Sequence, residues 1–372
     1  MTAANPAIAR APSRPLRRVS PLRRWHRWCG LAVLLFLLIA GVSGSLLVYK
    51  KELIKLLITP NAVLPAGFNT GVMAAEVDRI VAMIGLENVG LIKAPNSQEP
   101  YWTVIPPLAE SDVKKEKAPI RLLAIGTLAP YKNNLWLLDA LGFVRELHTD
   151  LLVGEVGEAV MLVSTLGGLF LSVTGFVIWW PTRKSFRWRW VVPRAMPKQF
   201  LIHSHRHGGV VAAAVLMIVL ITAGVMLWQK LVRPILPPVA VATLPIALGS
   251  DDILMPSRYL QIATAAVPDG WPTYIRLPGK ANSEGSIRFR LPDEWHANGR
   301  TSVNFDAHKG TATLSTRSDQ VSPGRKLLNQ VYPLHSGYGM GAVYAALIFL
   351  SGVAMLWLGI SGGLSYLARR SR

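Results

Sequence analysis

The stretch WHRWCGLAVLLFLLIAGVSGSLLV, residues 25–48, decides the architecture. From Leu31 to Val48 it carries no charge and approaches the ~20 apolar residues that a helix needs to cross a bilayer. Arg10, Arg14, Arg17, Arg18, Arg23, Arg24 and Arg27 precede it. A basic leader and an apolar run could mark a secretory signal, but no A-x-A site follows and the run is long for a signal core, so it reads as a retained span. Ala159 to Trp180, Val210 to Trp228 and Val343 to Leu367 are three further runs of the same kind.

Lys and Arg concentrate between the second and third runs (Arg183, Lys184, Arg187, Arg189, Arg194, Lys198) and at the end of the chain (Arg369, Arg370, Arg372). By the positive-inside rule these loops and both termini face the cytoplasm of a bacterial inner membrane. The formal net charge of +19 then answers to a bilayer surface and not to nucleic acid. The organisation expected is a basic cytoplasmic segment (1–25), a first span (26–50), a first periplasmic domain (51–147), a second span (148–182) and a cytoplasmic loop (183–202). A third span (203–229), a second periplasmic domain (230–334), a fourth span (335–368) and a cytoplasmic tail (369–372) complete it. The fold class is an α-helical integral membrane protein: a four-helix bundle built as a parallel repeat, with two mixed α+β periplasmic domains.

The repeat is written in the residues. His26-Arg27-x-x-Gly30 opens the first span and His205-Arg206-x-x-Gly209 the third, while Leu147-His148 and Leu334-His335 precede the second and fourth. Two halves crossing in the same direction are related by a pseudo-two-fold axis along the bilayer normal. Such an axis sets His26 against His205 near the cytoplasmic surface and His148 against His335 near the outer surface. Opposed imidazoles in a water-free bundle core suit a bis-histidine haem iron, so these four residues are the candidate ligands of two b-type haems.

A lone histidine at a helix end is more often an interfacial residue, and it is the depth-matched pairing that argues for ligands. His203 and His207 could replace His205 or hydrogen-bond a haem propionate. Zinc on His203, His205 and His207 is disfavoured because residues two apart on a helix diverge by roughly 200°. Cys29 is the only cysteine, so one chain can build no Cys-ligated cluster. Glu155, seven after His148, would share its face on a continued helix and contact a proton or substrate near the outer haem; a solvated first turn is the plainer alternative. His296 and His308 read as surface histidines first and substrate contacts second. Gly30, Gly209, Gly337, Gly339 and Gly341 offer room near the rings. Trp179, Trp180, Trp228 and Trp357 fit an interfacial aromatic belt.

At these residues the chain resembles the PepSY-associated transmembrane family and, within it, the ferric-siderophore reductases. The resemblance rests on Trp25-His26-Arg27-Trp28, Glu146-Leu147-His148, Thr174-Gly175 through Trp179-Trp180-Pro181, and Pro333-Leu334-His335-Ser336-Gly337. Asn304-Phe305-Asp306-Ala307-His308-Lys309-Gly310 looks like the Asp-x-x-x-Gly turn of a PepSY module; Asn133 to Gly142 in the first periplasmic domain lacks that pattern. What the resemblance implies is PepSY-like periplasmic domains and a haem-dependent enzyme with two haem b. It would take electrons from an unidentified cytoplasmic donor and reduce a periplasmic ferric siderophore of hydroxamate type. Two other classes remain open on the residues: a siderophore permease, and a non-enzymatic membrane regulator or assembly partner.

Overall fold

The computed structural model describes residues 20–107, 119–192, 198–229, 242–244, 255–279 and 282–370, together with Ile235. Arg10, Arg14, Arg17, Arg18, Arg194 and Arg372 lie outside the described residues.

Four helices are long and apolar enough to span a membrane: Pro21–Val48, Glu155–Ser185, Gln199–Leu227 and Ala342–Leu367. The first is α1 (Pro21–Val48), which begins where Ser20 accepts from the Arg23 N–H and proline occupies the first turn, a position that needs no donor. The others belong to α5 (Glu155–Trp179), α6 (Lys198–Leu227) and α9 (Ala342–Arg370). Each of α1 and α6 packs against both α5 and α9, so α1 and α6 are diagonal in the bundle, as are α5 and α9.

The second and fourth spans depart from the sequence reading. Residues 148–182 do not form one helix: α4 (Trp136–Asp150) ends just after His148, and Leu151, Leu152 and Gly154 take φ values of 55°, 65° and 60° before α5 begins. Likewise α8 (Pro323–Ser336) ends just after His335, and Gly337, Gly339 and Gly341, at φ 74°, 80° and 84°, turn the chain into α9. Glycine takes this left-handed backbone without a Cβ clash, whereas each leucine does so at a cost of about 1–2 kcal/mol. α4 lies on α1, and α8 on α6.

Between the spans, α2 (Lys50–Leu57) and α3 (Thr70–Ile84) precede β1 (Leu91–Lys93), β2 (Trp102–Ile105) and β3 (Arg121–Leu123). The later segment supplies β4 (Ala242–Leu244), α7 (Pro256–Ala266), β5 (Trp271–Arg276), β6 (Glu284–Arg290), β7 (Thr301–Asp306) and β8 (Thr311–Thr316). The two extramembrane segments do not stand as separate domains. Their strands form one antiparallel sheet, β3-β2-β1-β5-β6-β7-β8-β4, joined where Ile92 pairs with Ile275 and Lys93 with Tyr274. β1–β3 are only three or four residues long, shorter than the roughly five or six that are usual. Joining covers the exposed edges of β1 and β5 and buries Met73, Val77 and Ile80 of α3 with Leu260 and Ala263 of α7 over Ile92, Ile275, Ile287 and Phe289.

Side chains alternate across a strand, so Lys93, Tyr274 and Arg288 point away from those helices, towards the bundle. There the sheet is fastened by one carboxylate. Glu99, 6% exposed, accepts from Lys51 at the start of α2, Lys93 of β1 and, at 2.8 Å, the Tyr338 hydroxyl in the turn after His335. Burial opposes ionisation of Glu99, but Lys93 and Lys51 outweigh it and hold the carboxyl down at about 2. Burial, then Lys93, pushes Lys51 down.

Two outcomes follow from this packing. Glu76, 4% exposed, accepts from Trp102 Nε1 at 2.6 Å and Gly126 N at 2.7 Å. Glu76→Leu leaves both donors dry and should cost the sheet roughly 2–4 kcal/mol in chemical unfolding followed by tryptophan fluorescence; unchanged stability would show that these bonds carry no weight. The folded-state pKa of Glu99 is depressed, so its stabilisation is complete above the unfolded value of about 4.3 and fades as pH falls through about 2. The stability gap between the parent and Glu99→Gln should therefore shrink between those two pH values, and a gap indifferent to pH would contradict the ionised assignment.

Candidate functional site: two opposed histidine pairs

His26 sits near the N-terminus of α1 and His205 near that of α6, on diagonal helices, with ring centroids 6.3 Å apart and ring planes at 86°. His148 and His335, on the last turns of α4 and α8, form a second pair 6.1 Å apart at 42°. His148 is held against Ser43 of α1, 17 residues after His26 (43 − 26). A straight helix rises about 1.5 Å per residue, so the pairs lie about 25 Å apart along the bundle, near the two faces of a ~30 Å hydrocarbon core. The His148–His335 pair is the one beside the sheet.

Hydrogen bonds set the state of each ring. His26 Nδ1 lies 2.8 Å from Thr174 Oγ1, whose own proton goes to Phe170 O at 2.6 Å. The hydroxyl must then accept, so His26 carries its proton on Nδ1. Ser43 Oγ likewise donates to Ile39 O at 2.6 Å and accepts from His148 Nδ1 at 2.9 Å. His205 Nδ1 donates to Leu358 O at 3.1 Å beside Ser361 Oγ, and His335 Nδ1 to Val219 O at 3.1 Å beside Thr222 Oγ1. With Nδ1–H assigned by this network in all four, each Nε2 keeps its lone pair, the form in which imidazole binds a metal.

Thr174 entered the sequence reading only within the Thr174-Gly175 motif and Ser43, Thr222 and Ser361 not at all, yet the spacings of the four hydroxyls recur: 43 − 26 = 17 and 222 − 205 = 17, then 174 − 148 = 26 and 361 − 335 = 26. Carrying the histidine repeat one step further would have found them.

The spacing suits two imidazoles on opposite sides of one metal ion. A metal–imidazole bond is about 2.0–2.1 Å and a ring nitrogen lies about 1.1–1.2 Å from its ring centre, so two rings on opposite sides of one ion stand about 6.2–6.6 Å apart. Three of the rings also lie against glycine: an added Cβ would come within 2.9 Å of His148 at Gly44, 3.3 Å of His26 at Gly175 and 3.3 Å of His205 at Gly362. Gly30 and Gly209, which the sequence favoured, instead face Leu171 and Leu358.

The remaining candidates lie elsewhere. His203 and His207 occupy another face of α6, His203 stacked on Trp190 at 4.4 Å and His207 fully buried 5.3 Å from Phe186. Only His205 of the three meets His26, and among the described residues no group of three or more His, Cys, Asp or Glu gathers as a metal site. Glu155 does not continue the face of His148, because the left-handed turn at Leu151–Gly154 intervenes; it is exposed at the start of α5. His296 is not a surface histidine: it is 3% exposed, 5.4 Å from the Tyr332 ring, and burial followed by Arg300 and Arg288 pushes it down to about 3. A buried polar loop residue carries no periodic signal that would reveal its burial. His308 is exposed in the β7–β8 turn, where Asp306 Oδ1 accepts from the His308 and Lys309 N–H groups and Gly310 takes φ 61°. Trp357 donates to Ser204, while Trp180 and Trp228 are half exposed on the bundle surface.

No curated protein matches the chain. The description of the PepSY-associated TM region matches residues 23–369, which takes in all four spans, both histidine pairs and the sheet between them. The chain belongs to the PepSY-associated transmembrane family.

Proposed function

We propose that this protein is a di-haem b reductase of the inner membrane, passing electrons from a cytoplasmic donor to a periplasmic ferric siderophore and releasing the iron as Fe(II). The observation that carries the reading is the pair of opposed histidine couples at the two ends of the bundle, each ring with Nε2 left for a ligand. His26 and His205 would hold one haem and His148 and His335 the other. Haem b supplies a one-electron Fe(III)/Fe(II) couple.

The chain's own residues supply the rest. Thr174, Ser43 and the carbonyls of Leu358 and Val219 hold the four rings in one tautomer and orientation, which raises ligand basicity. The apolar runs of α1, α5, α6 and α9, set in a bilayer, would keep water from the space between the pairs. The diagonal placement of α1 and α6 and of α5 and α9, with the recurring spacings of 17 and 26, supports a parallel repeat about an axis along the bilayer normal. Arg183, Lys184, Arg187 and Arg189 follow α5 at the end carrying the His26–His205 pair, which supports cytoplasmic termini and a periplasmic sheet.

The substrate side follows from iron chemistry. Siderophores grip Fe(III) with hard oxygen donors and hold the softer Fe(II) far less firmly, so adding one electron releases the metal without acid–base machinery. The polar face of the sheet is tied to the turn after His335 through Lys93, Glu99 and Tyr338, so the sheet stands on the side from which a ferric complex would approach the nearer pair.

A dithionite-reduced minus oxidised spectrum of the detergent-purified protein, with pyridine haemochrome quantification, should give about two low-spin haem b per chain; absence of haem would sink the redox reading in favour of a regulator or a permease. His148→Ala or His335→Ala should remove one haem and ferric-siderophore reduction while sparing the other haem. His205→Ala should deplete haem more than His203→Ala or His207→Ala, and the opposite order would refute His205 as the ligand. Thr174→Val should weaken its haem by roughly 10–100-fold. Ser361→Ala should do less, because His205 retains the Leu358 carbonyl; equal effects would argue against orientation through Nδ1.

A further inference from the structure

Resting on the di-haem reading, we propose that Arg27 and Arg206 hold the two carboxylates of the macrocycle seated between His26 and His205. Each arginine directly follows a histidine of the pair, on diagonal helices of the bundle. In each, Nε is buried and has no hydrogen-bond partner among the described residues. A desolvated N–H without an acceptor is destabilising, so two at corresponding positions call for an occupant.

The rest of each guanidinium is already placed. Arg206 Nη2 donates to Ser185 Oγ at 2.9 Å and to His207 Nε2 at 3.3 Å. The Arg27 guanidinium lies over the rings of Trp28, at 5.6 Å, and Tyr366, at 5.9 Å. What is left over in both is the Nε–H, a charge-assisted donor to one carboxylate oxygen. Helical side chains lean towards the N-terminus. From α1 and α6 both arginines therefore reach past their histidines towards the end of the bundle that carries the basic residues after α5.

Symmetry makes the number right. Haem b has two propionates on one edge, exchanged by an axis in the ring plane that passes through the iron. A two-fold that exchanges His26 with His205 also exchanges Arg27 with Arg206, giving one arginine to each carboxylate. Lipid phosphate is the other anion found at such a depth, and arginines that serve only membrane orientation would bind neither.

The test uses the full-length protein carrying His148→Ala and His335→Ala, so that one haem site remains, stripped of haem and titrated with haem b and with its dimethyl ester, in which both carboxylates are capped. With Arg27 and Arg206 intact, the ester should bind at least about tenfold more weakly than haem b. In the added Arg27→Gln/Arg206→Gln variant haem b itself should weaken and the ester penalty vanish, with low-spin bis-histidine bands retained in the haem that binds. Arg27→Lys/Arg206→Lys, which keeps the charge and loses the Nε–H, should lie between and guards against a misfolded Gln variant.

An ester penalty equal in the Arg and Gln forms, or absent from the Arg form, overturns the arginine assignment. The same holds if the Gln variant alters only affinity for nanodiscs of anionic over zwitterionic lipid, which would name lipid phosphate as the occupant. Failure of the unmodified parent to take up any haem overturns the di-haem reading itself, and this assignment with it.

Discussion

The arrangement depends on what each histidine does with Nδ1. In a bundle interior a neutral imidazole must place one N–H, and here that proton goes to a hydroxyl or carbonyl on the neighbouring helix of the same half: Thr174 for His26, Ser43 for His148, Leu358 for His205 and Val219 for His335. The hydroxyls of Thr174 and Ser43 can accept because their own protons are committed to carbonyls one turn back in their helices. A side chain that could rotate freely is thereby fixed in tautomer and direction, and two such rings face each other at each end of the bundle.

The two pairs are held differently. His26 and His205 lie within long continuous helices, so their separation is set by how α1 and α6 pack around α5 and α9. His148 and His335 lie on the final turns of α4 and α8, each joined to its span through left-handed backbone. Their positions depend on those turns and on whatever restrains them. For His335 the restraint reaches into the sheet, because Tyr338, three residues on, is tied to Glu99, which also gathers Lys51 and Lys93. The sheet thus helps to fix the turn that carries His335.

One continuous sheet explains why two weakly patterned segments yield a folded cap. The edge pairing of the short strand β1 with β5 turns two insertions into a single layer covered by α3 and α7. That layer has one apolar and one polar face because side chains alternate along every strand, and it is the polar face that meets the bundle.

Much of this was legible in the residues. The four apolar runs specify spans because lipid leaves helix as the cheap way to satisfy a peptide backbone, and a bilayer fixes their length. The correspondence of His26 with His205 and of His148 with His335 is likewise written in sequence order and neighbours. The joining of two insertions into one sheet, the breaks at Leu151–Gly154 and Gly337–Gly341, the burial of His296 and the packing of His203 and His207 on Trp190 and Phe186 were decided only in three dimensions. The reason is physical: local sequence sets hydropathy and period, whereas which edge pairs with which, which face of α6 turns inward and which hydroxyl meets which imidazole depend on contacts between residues far apart in the chain.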